Sequence, residues 1–351
     1  MRYHLLGQRC AAAPLKVSSI SMGTMTFGEQ NTPEQAHELL DIAYDGGVNF
    51  FDVAEMYPIS PRPETQGRSE EILGDWVRAR NNRHQVVIAS KVTGRGVMPW
   101  IRGEERVLDR RNIAEAIDGS LRRLKTDYLD LYYLHWPDRQ TNNFGRLGYV
   151  HNPEEQSTPL AESLLALADL VKAGKIRHVG ISNETPWGLA QYLLLAAQNP
   201  ELPRVAAIQN PYSLINRTFE IGLAEMAIRE DVPLVAYSPL AGGVLTGKYM
   251  DGERPADSRM VLWPKRYTRY TKPLAQVAVE RYTLIAERHG LHPAQMALAF
   301  AASRSFAASA IVGATRPEQL KMTLAAQDLV LGADALMDIE AEHTLCPNPA
   351  P

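Results

Sequence analysis

Residues 128–135, Tyr128-Leu129-Asp130-Leu131-Tyr132-Tyr133-Leu134-His135, form a short, mostly apolar run that ends on an imidazole. Such a run, too short for a helix and lacking strict alternation, reads as a strand covered on both faces. An amphipathic stretch at 112–125 precedes it, and another at 160–174 separates it from the next apolar run at 176–182. Helix, strand, helix, strand is the order of a parallel sheet, because parallel neighbours need a crossover between them. Outward in both directions the unit repeats. Apolar runs lie at 20–25, 49–54, 86–91, 128–135, 176–182, 205–209, 234–238 and 310–314. Helical stretches fall at 33–46, 69–80, 112–125, 160–174, 186–198 and 219–230, then at 273–288, 293–302, 317–326 and 334–342. Thr32 before Pro33 reads as an N-cap, and Gly174 after Lys172 as a helix stop.

Eight such units exceed the usual doubly wound sheet and show no linker, so the expected fold is an α/β (β/α)8 TIM barrel in one domain, 1–351. Residues 1–20, with Gly7 and Pro14 between short apolar pieces, predict a hairpin plugging the N-terminal mouth. An extra helix closes the chain, followed by a Pro-rich tail at 347–351 that either reaches a neighbour or hangs free. The long polar segment 241–272 reads as a loop.

The 37 Lys and Arg against 40 Asp and Glu give a net charge of -3, which offers nucleic acid no electrostatic footing. Cys10 and Cys346 cannot build a disulfide framework or a metal knuckle, so no metal is expected and a reducing, cytoplasmic setting fits. No stretch approaches the roughly 20 apolar residues that span a bilayer. Small-molecule chemistry is the expectation, and no motif sets an oligomeric state.

In a barrel, chemistry gathers where strands end. Here those ends are polar: Asp52 through Tyr57, Lys91, His135, Ser182-Asn183, Gln209-Asn210 and Tyr237-Ser238. Asp52, Tyr57, Lys91 and His135 unite a carboxylate, a phenol, an ammonium and an imidazole, a set suited to moving a proton. A phenol with a reference pKa near 10 becomes a better acid beside a cation. One lysine at about 4 Å, with an effective dielectric of about 20, gives about 4 kcal/mol of gross attraction. Asp52 tethers that lysine and offsets part of the effect. Neutral His135 would orient the oxygen receiving the proton.

With these residues in place, the chain resembles the aldo-keto reductase superfamily along nearly its whole length, and within it the bacterial Tas-type reductases. The segments 23–30, 52–58 and 62–67 carry the likeness, up to Gly313-Ala314-Thr315. The resemblance implies a catalytic tetrad of Asp52, Tyr57, Lys91 and His135, with Tyr57 as general acid and NADPH/NADP+ as cofactor. It implies that the cofactor is bound by Thr24, Met25, Gln30, Asp52, Ser182, Asn183, Gln209, Tyr237, Ser238, Pro239, Leu240, Gly242, Lys248, Arg259, Gly313, Thr315, Arg316 and Gln319. Among these, Ser182, Asn183 and Gln209 would hold the carboxamide and Tyr237 would stack on the nicotinamide. Gly313-Ala314-Thr315-Arg316 opens the Pro317 helix, and a helix N-terminus beside an arginine suits the 2′-phosphate.

The implied activity is reduction of a small carbonyl compound, with Tyr57, His135 and Trp136 in the substrate pocket. Potassium-channel β subunits share the implied fold and cofactor but carry Asn at the place of His135, which favours the reductase over a regulatory NADPH-binding subunit. Oxidation of an alcohol or sugar is the reverse direction. The family helix usually carries Glu-Asn where this chain has Met322-Thr323, and a Pro-rich insertion after Tyr57 is expected to wall the pocket. Loops 93–109, 138–158 and 241–272 would shape the rest.

Four other signals have plainer readings. Residues 242–248 follow a Walker A spacing, but Tyr249 replaces the magnesium-binding hydroxyl, so the glycines read as room for a cofactor phosphate. His289 and His292 lack further ligands nearby and read as surface. Trp100, Trp187 and Trp263 are as well explained by packing as by a pocket. The basic run Lys265-Arg266-Tyr267-Thr268-Arg269 is either solvated or folded over bound cofactor.

Overall fold

The computed structural model describes residues 1–96, 98–103 and 106–351. Two antiparallel strands, β1 (Tyr3–Leu6) and β2 (Leu15–Ser18), precede the sheet. Eight parallel strands follow: β3 (Ile20–Gly23), β4 (Phe50–Asp52), β5 (Val87–Val92), β6 (Leu129–Leu134), β7 (Ile176–Ser182), β8 (Val205–Gln209), β9 (Leu234–Ala236) and β10 (Ala307–Val312). They pair in sequence order, and β10 closes on β3 to complete the barrel. The helices are α1 (Pro33–Asp45), α2 (Arg68–Arg80), α3 (Arg110–Leu124), α4 (Leu160–Lys172), α5 (Pro186–Gln198), α6 (Leu223–Glu230), α7 (Arg259–Leu262), α8 (Pro273–Arg288), α9 (Pro293–Ala302), α10 (Pro317–Leu324) and α11 (Ala333–Leu345).

Local chemistry sets several boundaries. Thr32 closes a capping box on α1: its hydroxyl accepts from the Gln35 amide at 3.3 Å, and the Gln35 side chain accepts from the Thr32 amide at 3.1 Å. Gly174, at φ 72°, turns the chain out of α4. The stretch expected as one helix at 219–230 divides, because Gly222 at φ 90° separates a short 3₁₀ turn from α6. The eighth strand begins at Ala307, three residues before the expected start, and the polar segment 241–272 contains α7 and three 3₁₀ turns.

Two apolar layers hold the barrel. One lies between strands and helices. The other fills the interior, where Phe50, Val87, Leu131, Tyr133, Ala206 and Val235 pack with Leu6, Leu15 and Val17 of the hairpin. The hairpin therefore plugs the mouth at which the strands begin. Gly7 lies against His178, whose Nε2 lies 2.8 Å from the Ala13 carbonyl. The Pro-rich tail neither hangs free nor reaches outward: Ala350 is fully buried, its amide donates to the Ile215 carbonyl at 3.1 Å, and the Arg217 amide donates to the Asn348 side chain at 2.6 Å. Among the described residues no helix is long and apolar enough to cross a membrane.

Candidate active site

Parallel pairing brings the strand ends together. Gly23 is in register with Asp52, Asp52 with Ala89, Lys91 with Tyr133 and Ser182 with Gln209, so one ring of C-terminal ends collects residues from distant parts of the chain. Above that ring opens a cavity of about 810 Å³.

At its floor, Lys91 is fully buried and donates to the Asp52 carboxylate at 2.5 Å and to the Val53 carbonyl at 2.8 Å. Gln209 donates to the other Asp52 oxygen at 2.8 Å. The ammonium lies 5.2 Å from the centre of the Tyr57 ring, and that ring meets His135 edge-on at 5.9 Å. All four residues of the expected proton-transfer set are thus neighbours. Their electrostatics differ from the expectation, however. Burial, reinforced by the Asp52 charge, pushes the Tyr57 phenol well above its ordinary pKa, and the guanidinium that opposes this is Arg266. Lys91 is committed to Asp52 and does not bring the phenol down. Burial also lowers the Lys91 pKa against the pull of Asp52. His135 is held far below the ordinary imidazole pKa, first by burial and then by the Lys91 and Arg266 charges, so it is neutral at pH 7. Among the described residues its buried Nδ1 has no partner.

One flank of the cavity presents amides and a phenol. The Asn183 side chain donates to the His135 carbonyl at 2.8 Å and accepts from the Tyr237 hydroxyl at 2.6 Å, while Ser182 donates to the Gln209 carbonyl at 2.7 Å. Asn183 holds φ 55°, and its side chain bridges the residues that follow β6 and β9. The chain then runs along the cavity as Ser238, Pro239, Leu240, Gly242 and Gly243. At φ 68° and 101° these glycines also save space: a Cβ on Gly242 would meet Met260 at 2.8 Å. Lys248, Arg259, Gly313, Thr315, Gln319, Met322 and Thr323 complete the far end.

Of the residues expected to bind a cofactor, Met25, Gln30, Asp52, Ser182, Asn183, Gln209 and Tyr237 line the cavity. Thr24 stands behind the wall instead, fully buried and donating to the Asp52 carbonyl at 3.0 Å. Arg316 also falls outside the lining, because Asp257 holds its guanidinium at 2.5 Å. Lys91 acts on the cavity from beneath. Of the tryptophans only Trp136 lines it, its indole N–H fixed on the Arg95 carbonyl at 2.8 Å. His292, read as surface, lines it too and caps α9. Ile59 and Pro61 of the Pro-rich insertion wall it, and the loops add Met98, Phe144, Asp257, Arg266, Tyr267 and Arg269. Within the 93–109 loop, Val97, Glu104 and Glu105 lie outside the described residues. Among the described residues no group of three or more His, Cys, Asp or Glu could hold a metal.

A family model described as the aldo/keto reductase family matches residues 19–342. The chain belongs to the aldo/keto reductase family. This aldo/keto reductase is 49% identical to "Protein tas" of Escherichia coli (strain K12), over the whole of both chains. It is 33% identical to a "Probable voltage-gated potassium channel subunit beta" of Arabidopsis thaliana, covering 94% of this chain and 92% of that one. It is 30% identical to "Uncharacterized oxidoreductase YrpG" of Bacillus subtilis (strain 168), covering 96% and 94%. Oxidoreductase chemistry on small carbonyl compounds, generally with a nicotinamide dinucleotide, is the class to which this aldo/keto reductase belongs.

Proposed function

We propose that the protein reduces aldehydes or ketones with NADPH, with Tyr57 as the proton donor. The observation that carries this is the Tyr57, His135, Lys91 and Asp52 cluster at the floor of a cavity of about 810 Å³. The lining suits such a guest: amides at one end for a carboxamide, a phenol ring for a flat heterocycle, glycine backbone in the middle, and cations at the other end. Lys248 and Arg259 line that end while Asp257 is paired with Arg316, a balance that favours a 2′-phosphate over a bare ribose hydroxyl. A bound reduced nicotinamide supplies the hydride.

The chain's own groups do the rest. Tyr57, held protonated, gives its proton to the carbonyl oxygen as negative charge develops there. Neutral His135 donates a hydrogen bond to the same oxygen and fixes its direction. The buried Lys91–Asp52 pair lies beneath the phenol ring and fixes the floor on which it packs, and the charge that eases loss of the phenol proton is that of Arg266. Asn183, Ser182 and Gln209 would hold the cofactor's carboxamide end, and Tyr237 would cover one face of its ring. The whole chain, 1–351, acts as one domain in this reading.

Purified protein with NADPH and nitrobenzaldehyde is followed by loss of reduced-nicotinamide absorbance. Tyr57→Phe should lower turnover by at least about 100-fold with the NADPH dissociation constant changed less than about twofold, since the phenol oxygen touches substrate. Near-full turnover of the variant would overturn the reading, and tight NADPH binding without turnover in the parent would replace it with a cofactor-sensing role.

A further inference from the structure

The cavity carries two groups of cations, and the cofactor assignments use only one. Lys248 and Arg259 share their end with Asp257 and Arg316, whose charges act on the Lys248 ammonium. Arg266 and Arg269 belong to the other end. They come from the turn between α7 and α8, and the Arg266 charge is felt at both Tyr57 and His135. Arg269 stacks its guanidinium 4.8 Å from the centre of the Tyr270 ring and acts on Tyr237.

Among the described residues neither arginine has an acidic partner. Among the described residues the Arg266 guanidinium makes no hydrogen bond or ion pair, and Nη1 of Arg269 is buried without an acceptor. Among the described residues the carboxylates that line the cavity are Asp52 and Asp257, and each is already taken, by Lys91 and by Arg316. A guanidinium stays charged at any working pH and forks onto a carboxylate through two parallel N–H groups. Met56, Ile59 and Met98 form an apolar cluster on which Met25, Tyr57 and Trp136 pack, and Phe144 meets Trp136 edge-on. A neutral ligand would fill that apolar space and leave two guanidinium groups without a counter-ion.

Building on the carbonyl-reductase reading, we propose that Arg266, assisted by Arg269, forms an anion subsite that selects substrates bearing a carboxylate on an apolar body of about ring size. The carbonyl faces Tyr57 and His135, the body lies against the methionines and Trp136, and the carboxylate meets the arginine pair.

The probes are 4-carboxybenzaldehyde and its methyl ester, which share a ring and an aldehyde and differ in charge. With NADPH, the acid should exceed the ester in kcat/KM by about tenfold or more, the worth of one charge-assisted hydrogen-bonded pair. Arg266→Gln should abolish that preference, chiefly through KM for the acid. Lys265→Gln, which removes a neighbouring charge that does not line the cavity, should retain it. Equal kcat/KM for the two aldehydes in the parent, or an unchanged ratio in Arg266→Gln, overturns the proposal. An unchanged ratio with weakened NADPH binding assigns Arg266 to the cofactor's pyrophosphate and overturns it equally. If the parent reduces neither aldehyde, the reductase reading fails on its own. The subsite is then judged by calorimetry with NADP+ present: tighter binding of 4-(hydroxymethyl)benzoate than of its methyl ester, lost in Arg266→Gln, sustains it, and equal binding overturns it.

Discussion

Lys91 has no exposed surface and spends its protons on Asp52 and the Val53 carbonyl. Lys91→Met therefore leaves a buried carboxylate with only Gln209 as a partner, and should cost about 3 to 5 kcal/mol of stability in urea titration. The double variant Lys91→Met with Asp52→Leu should recover much of that stability and none of the turnover, which separates the two roles of the pair. The pH profile follows from the same floor. Tyr57 must carry its proton to act as an acid, and its pKa is raised, so it stays protonated up to and beyond pH 10. His135 must be neutral, and its pKa is lowered from 6.5, so it stays neutral well below that pH. Reduction measured as kcat/KM should be flat between about pH 6.5 and 9, and a titration centred inside that window would count against these assignments. The identities at the strand ends were legible because a barrel gathers its strand ends. The tuning of Tyr57 was not, because it depends on which cation has a spare charge: Lys91 is consumed by Asp52, and Arg266 comes from a loop no periodicity can place.

The strands were legible for a related reason. Buried parallel strands must be short and apolar on both faces, and runs such as 176–182 and 205–209 match β7 and β8 to the residue. Boundaries set by backbone angle were harder to see. Nothing in the composition of 219–230 says that Gly222 takes φ 90° and cuts the helix, since glycine permits that angle without requiring it. Gly74, by contrast, is a contact requirement inside α2. A Cβ there would lie 2.6 Å from the backbone of Leu124, at the end of α3. Gly74→Ala must push two packed helices apart and should cost about 1 to 3 kcal/mol. The signature is a lower urea midpoint with an unchanged slope, because the amount of surface exposed on unfolding is the same.

At the scale of the whole molecule, eight units close a barrel whose interior is filled at one end by the hairpin and left open at the other. The tail is part of that closure. Removing residues 347–351 takes away the buried Ala350 and the hydrogen bonds to Ile215 and Arg217, and should lower stability by about 1 to 3 kcal/mol. That loss is read as a lower melting temperature, with the far-ultraviolet spectrum unchanged at 25 °C (about room temperature). A composition rich in proline fits a free end or a reach to a neighbour equally, and cannot show that the segment docks beside the turn after β8. The docked tail also gives the molecule a polarity along the barrel axis. The Pro351 carbonyl lies close to Gly145, next to Phe144 in the cavity wall, whereas the first strand lies under the opposite end. The two chain ends are therefore addresses for opposite faces: a fluorophore or tether on the final residue sits beside the doorway and senses what enters, while one on Met1 is screened from the doorway by the barrel's full height.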